Sequence, residues 1–512
     1  MNILGIRGPS LTSNRSYAIS PSVPIGLAYV IGAISDLDDV NIQVIDALLE
    51  KPSVVDLIKY NDELSLLGID NETILKLVTI NPDVCLVSGM FSSDWPVTKN
   101  LINLIKQQYP NCLVIGGGEH LTAMPEYCLQ NSELDAVIMG EGEVTVRELV
   151  IHLQESKSLP DDLSGTCVKV EQGIVRNEAR PRERAVDTIR PPAWEFFKVE
   201  NFLDKGMSSS SSEKSTTDRP FNILATRGCP YQCTFCSNPS MWTTRWVARP
   251  AIDVVNEMKK YIEQYGVTHF DFSDLTLAVN KRWLISFANL LIEENLGVSW
   301  GLPSGSRSEV LDEETLPLLK KAGINDLTYA PENGSDEILK IMNKRIKKDK
   351  MLKSIRLSGK NNIRTRANII FGYPEEKRRD VLKTYRFVIQ MAWNGLQDIQ
   401  FLPLTIYPGS KVFEQIRQER NLTIDEEYFL NLSHMASLSL SPSYSNHYGN
   451  GELLVYRLTG YLLFYSTVFI LRPSVVLKVF SDIIFRTSYS RLGMGVGNVI
   501  RRWIKLRLQT AA

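Results

Sequence analysis

Short apolar segments alternate with longer helical patterns over the first 140 residues, and this alternation limits the fold more than any other feature of the chain. A helical pattern begins after Pro24, and the apolar segments cover residues 2–6, 40–45, 84–88, 113–116 and 136–139. Such alternation predicts a doubly wound, Rossmann-like parallel sheet. Ligands bind beyond the carboxyl ends of the strands in these sheets, which selects the loops 46–50, 88–95, 116–126 and 140–143.

The same alternation returns from residue 221. Strand patterns cover residues 223–225, 270–272, 298–302, 326–330, 366–371 and 399–404, and the helical patterns between them include 252–265, 282–293, 313–322 and 376–392. In barrels of parallel strands the functional groups cluster beyond the carboxyl ends of the strands. This rule selects Asp274, Ser304, Arg307, Glu332, Asn333, Gly372, Glu375 and residues 407–410.

Three cysteines lie within eight positions in the loop after the first of these strands, at Cys229, Cys233 and Cys236. Thiolate is the ligand of iron–sulfur clusters, and a cubane of four irons normally takes four cysteines, so this loop leaves one iron open to an outside ligand. A structural zinc site needs four protein ligands, and neither a histidine nor a fourth cysteine follows at a short spacing. The pattern therefore favours a 4Fe-4S cluster over zinc or over a chance group of free cysteines.

The other four cysteines, Cys85, Cys112, Cys128 and Cys167, are scattered singly and are typical of small core side chains. Cysteine is sparse for 512 residues, and the first residues lack the pattern of a secretion signal. We therefore expect a reducing, cytoplasmic location. The net charge of −1 argues against a nucleic-acid partner.

The Cys-x3-Cys-x2-Cys spacing, with Phe235 before the last cysteine, resembles the signature of the radical S-adenosylmethionine (radical SAM) superfamily. The resemblance implies a partial (β/α)6 barrel of the TIM type, in which the amino and carboxylate groups of S-adenosylmethionine chelate the open iron. It also implies that Phe235 lies near the adenine and that Asp274 holds the ammonium group. Residues 369–375 are similar to the adenine-side strand of the family, and residues 408–410 resemble its Pro-Gly-Thr turn.

A second resemblance concerns residues 24–29, 116–126 and 140–143, which are similar to the N-terminal half of cobalamin-binding radical SAM enzymes. It implies cobalamin contacts from Ser88, Gly117, Gly118, His120, Thr122, Glu141 and Gly142. The chain has no Asp-x-His-x-x-Gly run, which implies cobalt without a histidine ligand below it. Two interpretations of His120 stay open: contact with the cofactor, or a surface-loop imidazole bonded to backbone.

These patterns predict four parts: a cobalamin-binding domain at 1–150, a polar linker at 151–220, a radical SAM barrel at 221–415 and a mainly helical capping region at 416–512. The linker contains a serine run at 208–212, and Trp194 within it is interpreted as a packing anchor between domains.

The resemblance implies a division of labour between two cofactors. The cluster cleaves S-adenosylmethionine to a 5′-deoxyadenosyl radical, and the enzyme methylates an unactivated carbon of a small-molecule or lipid-like substrate through cobalamin. An external donor such as flavodoxin or ferredoxin supplies electrons. The alternatives are an oxidative cyclase or rearranging enzyme without methyl transfer and, outside enzymes, a degenerate cofactor-binding protein.

The C-terminal region joins an apolar stretch to a basic one. Residues 458–471 carry no charge, and residues 472–512 contain eight Lys or Arg against Asp482 alone, a local balance of +7. A run of fourteen residues is short for a membrane span. We expect a buried helix that caps the barrel, and the alternative is peripheral association with an anionic membrane.

Overall fold

The computed structural model describes residues 1–16, 22–183, 186–207 and 218–485, and beyond them 490, 493, 496–501 and 504. The predicted serine run at 208–212 lies outside the described residues. So do five of the eight basic residues of the C-terminal stretch: Arg486, Arg491, Arg502, Lys505 and Arg507.

The N-terminal part is built on a seven-stranded sheet with helices on both faces. Its strands, with those of a small second sheet, are β1 Asn2–Arg7, β2 Ser10–Ser13, β3 Asn41–Asp46, β4 Ile58–Lys59, β5 Leu64–Leu67, β6 Val84–Ser88, β7 Leu113–Gly117, β8 Ala136–Ile138, β9 Thr166–Val170 and β10 Gly173–Arg176. Its helices are α1 Ile25–Gly32, α2 Ala47–Glu50, α3 Asn71–Leu77, α4 Trp95–Gln108, α5 Glu119–Ala123, α6 Pro125–Asn131, α7 Glu143–Ser156 and α8 Val199–Leu203.

The strand order β10-β9-β8-β7-β6-β1-β3 confirms the doubly wound prediction, because β8, β7, β6, β1 and β3 are parallel to one another. Strands of this kind are covered on both faces, and their sequences are therefore continuous apolar runs. Accordingly Ile3, Leu4 and Ile6 of β1 are all fully buried. The three-stranded antiparallel sheet β2-β5-β4 was not predicted, since its strands are short and lack a clear alternation.

The structure differs from the predicted linker at 151–220 in its first part. Strands β9 and β10 pair antiparallel with β8 and with each other, so they extend the first sheet. Trp194 is a packing anchor, as predicted: it is buried, donates a 2.9 Å hydrogen bond to Tyr261 and packs edge-on against Phe221. Because Tyr261 and Phe221 belong to the second unit, this segment fixes the two units together.

The second unit is a six-stranded parallel sheet in the order β11-β14-β15-β16-β17-β18, which confirms the predicted partial barrel. Its strands, with the short β12–β13 pair, are β11 Pro220–Ile223, β12 Thr226–Arg227, β13 Val247–Ala248, β14 His269–Phe272, β15 Ser299–Ser306, β16 Ile324–Glu332, β17 Arg364–Phe371 and β18 Asp398–Pro403. Its helices are α9 Asn238–Met241, α10 Ala251–Tyr265, α11 Lys281–Glu294, α12 Thr315–Lys321, α13 Asp336–Ile341, α14 Lys348–Lys360 and α15 Arg378–Trp393.

The C-terminal region is helical, as predicted, with α16 Lys411–Arg420, α17 Glu426–Leu432, α18 Asn450–Leu471 and α19 Ser474–Phe485. Helix α18 packs along α15 and β18, at the last strand of the barrel. By length and composition alone α18 would suffice to cross a membrane, and only a third of its apolar stretch is buried. The expectation of a buried helix therefore holds for the face toward the barrel and is wrong for the opposite face.

Candidate functional site

The three-cysteine loop begins directly after β12, and hydrogen bonds between its backbone and neighbouring segments hold it in place. Thr234 N donates to Met342 O over 3.0 Å, and Val412 N donates to Thr234 O over 2.9 Å. Asn343 Nδ2 donates to Gln232 O over 2.9 Å. The loop is therefore fixed between the end of α13 and the start of α16, whether or not the cysteines carry a ligand.

Cys229, Cys233 and Cys236 are partly buried free thiols. Among the described residues, no three His, Cys, Asp or Glu side chains converge closely enough to hold a single metal ion. A cubane does not require such convergence, because each cysteine binds a different iron, so three separate soft donors fit a 4Fe-4S cluster better than zinc. Burial raises the pKa of each thiol, to about 12 for Cys236, so cluster binding must displace their protons.

Two buried cations lie beside this loop. Lys344 Nζ is 2.9 Å from Glu332 Oε1, and the Arg307 guanidinium lies 3.8 Å above the ring of Tyr231. Although burial is the larger effect on the pKa of Cys229, Lys344 and Arg307 both act to lower it. Both cations therefore favour thiolate over thiol at the cluster site. Lys344 was not predicted, because it follows a helix rather than a strand and nothing in its spacing relates it to the cysteines.

The strand-end carboxylates Glu332 and Glu375 have different environments. Glu332 ends β16 in a left-handed backbone conformation with φ of 63°, which is uncommon for residues other than glycine. Backbone strain of this kind is often found at functional sites. The charge of Glu332 is already paired with Lys344. Glu375 Oε2 is buried without a hydrogen-bond partner, a costly state that a cationic ligand group would relieve. Glu375 therefore fits the ammonium of S-adenosylmethionine.

Gly372 is held by a buried network that the sequence did not reveal. Its φ of 100° suits glycine, and its amide donates to Glu376 Oε2 over 2.7 Å and to Tyr448 OH over 2.8 Å. Asn333 Nδ2 donates to the other oxygen of Glu376 over 2.7 Å. Glu376 is thus fully engaged behind the strand end, whereas its neighbour Glu375 is not.

Asp274 lies where it was predicted, beyond β14, but its carboxylate is already hydrogen-bonded within the chain, so it does not fit the role of ammonium acceptor. Its Oδ1 accepts from Thr226 N and Thr226 Oγ1, both over 2.5 Å, and its Oδ2 accepts from Ala225 N over 3.2 Å. The carboxylate is buried and all its contacts go to the chain that leads into the cysteine loop. Burial raises its pKa to about 6. Asp274 therefore acts as a positioning residue for that loop.

The remaining barrel candidates lie near the same mouth. Ser304 is half-buried on β15, and Phe235 packs beside an apolar cluster that includes Tyr373 and Leu404. Gly409, in the predicted Pro-Gly-Ser turn, has φ of 83°, and a Cβ there would lie 2.7 Å from Ser240 Oγ and 3.2 Å from Ala123 Cβ. The turn therefore touches both the cysteine region and the first sheet.

On the first sheet, the predicted cobalamin loops form a tight backbone surface. Ser88 and Gly117 are partners in the β6–β7 register, at the carboxyl ends of both strands. Gly118 has φ of 116°, and a Cβ there would lie 2.8 Å from Gly89 O, so only glycine fits. Thr122 Oγ1 accepts a 3.0 Å hydrogen bond from Gly140 N, which joins two of the predicted loops. Gly142 precedes α7 at its N-terminus.

His120 is a buried core residue, which matches neither of its two interpretations. Its Nδ1 is 3.0 Å from Ser92 Oγ, and its Nε2 is 3.5 Å from Cys128 Sγ. The ring packs between Trp95 and Phe429. Burial lowers its pKa to about 3, so the imidazole is neutral. The sequence placed it in a loop because the short helix α5 has no helical period long enough to recognise.

The two strand-end surfaces meet through an interdomain contact cluster, formed by Arg227 and Ser237 from the cysteine region and Glu119, Glu141 and Glu143 from the first sheet. Arg227 lies 2.7 Å from Glu143 and 3.3 Å from Glu141, and it stacks over Tyr29 at 4.7 Å. Ser237 Oγ donates to Glu119. Both ends of the cysteine loop are therefore tied to the loops predicted to bind cobalamin.

A cavity of about 320 Å³ lies beside this cluster. Its lining includes Thr122, Gly140, Glu141, Arg182 and Met241. Glu141 Oε2 is buried without a hydrogen-bond partner, and the peripheral amides of cobalamin supply donors for such an atom. Glu141 therefore suits the amide-bearing edge of a cobalamin. A larger cavity of about 630 Å³, lined in part by Tyr60, Asn71 and Trp95, contains none of the predicted site residues.

Two family models match the chain in the order of its two sheets. The B12 binding domain matches residues 20–150, and the radical SAM superfamily matches residues 223–388. The enzyme therefore uses a 4Fe-4S cluster, S-adenosylmethionine and cobalamin.

Individual relatives agree with these matches. An uncharacterised methyltransferase of Pyrococcus horikoshii is 27% identical over 93% of this chain and 94% of its own. The anaerobic magnesium-protoporphyrin IX monomethyl ester cyclase of Rubrivivax gelatinosus is 25% identical over 69% of this chain and 62% of its own.

Among solved structures, the cobalamin-dependent S-adenosylmethionine radical enzyme OxsB, with aqua-cobalamin and S-adenosylmethionine bound, aligns with a TM-score of 0.65 at 12% identity. The alignment covers 100% of this chain and 80% of OxsB. At this identity the likeness concerns the fold, which is shared over both cofactor-binding units. Family models, relatives and fold agree, and the chain belongs to the cobalamin-binding branch of the radical SAM superfamily.

Proposed function

We propose that this enzyme is a methyltransferase that acts on an unactivated carbon of a small-molecule substrate. When bound, the cluster supplies the electron that cleaves S-adenosylmethionine to a 5′-deoxyadenosyl radical, and cobalamin supplies the methyl group. Cys229, Cys233 and Cys236 would hold the cluster. Glu375 and Arg307 would meet the charged groups of S-adenosylmethionine, and Gly117, Gly118, Thr122, Glu141 and Gly142 would line the cobalamin side.

The contact between the two strand-end surfaces is the observation that carries this proposal. Arg227 lies two residues before Cys229, and Ser237 directly follows Cys236, and both contact carboxylates of the first sheet. A substrate carbon must meet both cofactors in turn, so they need to face one site. The contacts of Arg227 and Ser237 with the first unit support such an arrangement.

A second candidate is an oxidative cyclase without methyl transfer. The similarity to the magnesium-protoporphyrin ester cyclase of Rubrivivax gelatinosus favours it. The whole-length similarity to an uncharacterised methyltransferase weighs more, because it includes the C-terminal region as well.

We also propose an external flavodoxin or ferredoxin as electron donor, a cytoplasmic location and a substrate that is either a soluble small molecule or lipid-like. The described part of the chain contains seven free cysteines, three of them only partly buried, which suits a reducing compartment.

Anaerobic reconstitution with iron, sulfide and cobalamin, followed by mass spectrometry, separates these functions. With S-adenosylmethionine, reductant and a cell extract as substrate source, we expect both 5′-deoxyadenosine and S-adenosylhomocysteine. Deoxyadenosine alone would favour the cyclase.

Replacement of Cys229, Cys233 and Cys236 by Ala should abolish deoxyadenosine formation together with bound iron and sulfide. The matched control is Cys112→Ala, which removes a buried cysteine outside the loop and should retain the cluster. Cleavage of S-adenosylmethionine by the triple variant would refute the cluster assignment.

A further inference from the structure

The outward faces of the C-terminal helices form an exposed apolar surface. It consists of Leu458, Leu462 and Ile470 on α18 and Leu477, Phe480 and Ile484 on α19. Leu462, Ile470 and Leu477 are 67, 79 and 74% exposed, which is unusual for large aliphatic side chains on neighbouring helices. We refer to these six residues as the C-terminal apolar surface.

Helix α15 lies beside α18 and adds a basic rim. The two helices run side by side, since Tyr385 OH donates to Tyr456 O over 2.8 Å near one end and Arg472 Nη2 donates to Leu396 O over 2.6 Å near the other. The exposed face of α15 presents the apolar side chains Leu382, Ile389 and Trp393 and the cations Arg379 and Arg386.

The unpaired charge of this region is positive. Arg379 and Arg386 are exposed and make no ion pair within the described part of the chain. From residue 453 to 512 the only acidic residue is Asp482, and it is fully buried, where it accepts from Ser490 N. Glu452, in the first turn of α18, is paired with Arg378 of α15, and Glu337 is paired with Lys383 of α15. The exposed apolar side chains are therefore accompanied by unpaired cations, whereas these nearby carboxylates are buried or already paired.

The inner face of α18 shows that this helix is part of the barrel wall. Arg457 is fully buried and donates to Phe401 O over 3.0 Å and to Ser437 O over 2.5 Å. A Cβ on Gly460 would lie 2.7 Å from the Phe401 ring, so helix and strand are in close contact. A helix tied to β18 in this way is suited to lie on a bilayer rather than to cross it.

We propose that the C-terminal apolar surface and the basic rim of α15 bind the surface of an anionic lipid bilayer. Apolar side chains would enter the boundary between headgroups and acyl chains, and the cations would contact lipid phosphates. The charge complementarity selects this occupant, since a second copy of the same face would bring like charges together. The inference goes beyond the proposed chemistry and places the enzyme where a lipid-borne substrate is found.

Flotation of the full-length protein with vesicles tests this proposal. We expect binding to phosphatidylcholine vesicles that contain about a third phosphatidylglycerol, and much weaker binding to phosphatidylcholine alone. The pair Leu462→Glu with Phe480→Glu should lower the partition coefficient by roughly tenfold or more. The pair Arg379→Gln with Arg386→Gln should lower it roughly fivefold per charge, and only on anionic vesicles.

The matched control is Ile252→Glu, which places a charge at an exposed apolar position on α10, outside this surface, and should bind like the parent. Circular dichroism checks that each variant is folded, and the arginine pair tests the surface even if the glutamate pair unfolds. Equal binding by parent and both variant pairs, or no binding of the parent, would overturn the proposal. So would a dimer in light scattering that Leu462→Glu dissociates, because a second copy would then cover the surface.

Discussion

Asp274 illustrates how far a strand-end rule reaches at the scale of single residues. The rule correctly placed a carboxylate beyond β14 and near the cysteine loop. It did not show that three donors from Ala225 and Thr226 already occupy both oxygens. Spacing identifies which residues reach a site, whereas hydrogen-bond saturation decides which of them has capacity left for a ligand.

The variant Asp274→Asn tests this positioning role. The asparagine side chain carries an NH2 group in place of one carboxylate oxygen, so a donor would face the donors of Ala225 and Thr226. We therefore expect the free energy of unfolding at neutral pH to fall by about 1–3 kcal/mol. Urea unfolding of the cofactor-free protein measures it. An unchanged stability would contradict the role.

The difference in unfolding free energy between the parent protein and Asp274→Asn depends on pH. The pKa of Asp274 rises from 3.8 to about 6 on folding, so the folded state binds its proton more tightly. That contribution to stability is present at low pH and is lost as pH rises through 6, whereas the asparagine variant lacks it. The stability difference between parent and variant should therefore shrink by about 1 kcal/mol from pH 5 to pH 7. A difference that grows over this interval would contradict the burial argument.

At the scale of elements, the close contact of α18 with β18 depends on Gly460. A Cβ at this position would lie 2.7 to 3.0 Å from three atoms of the Phe401 ring. Gly460→Ala should destabilise the protein by about 1–3 kcal/mol, although alanine is otherwise the better helix former.

Gly451 in the same helix is the matched control, because nothing lies within 4 Å of a Cβ there. Gly451→Ala should leave stability unchanged or raise it by up to about 1 kcal/mol. If thermal unfolding shows Gly460→Ala to be more stable than Gly451→Ala, the close packing of α18 on the barrel is contradicted.

The sequence predicted the parallel strands of both sheets well, because a parallel strand that is buried on both faces is a continuous apolar run. Such a run can be recognised in the sequence without knowing which strands pair with it. The sequence did not predict β9, β10 or the small sheet β2-β5-β4. These strands are short, partly polar and antiparallel, and their pairing is decided by the edge that the larger sheet offers. The apolar run at 458–471 was recognised, whereas the full helix and its exposed face required the structure.

At the scale of the whole molecule, the cysteine motif was predictable from local spacing, but its connection to the first sheet was not. Arg227 and Glu143 are 84 positions apart in the sequence and share no local pattern, and only the docking of the two units brings them to 2.7 Å. The same holds for Ser237 and Glu119. Contacts of this kind bring the strand ends of the two units together.

The most direct test of a shared site is pulsed electron paramagnetic resonance on protein that carries the reduced cluster and Co(II) cobalamin together. We predict a dipolar interaction between the two paramagnetic centres in the parent, and a weaker or more heterogeneous one in Arg227→Gln, which removes the ion pair between the units. Full occupancy of both cofactors without any interaction between them would contradict the account.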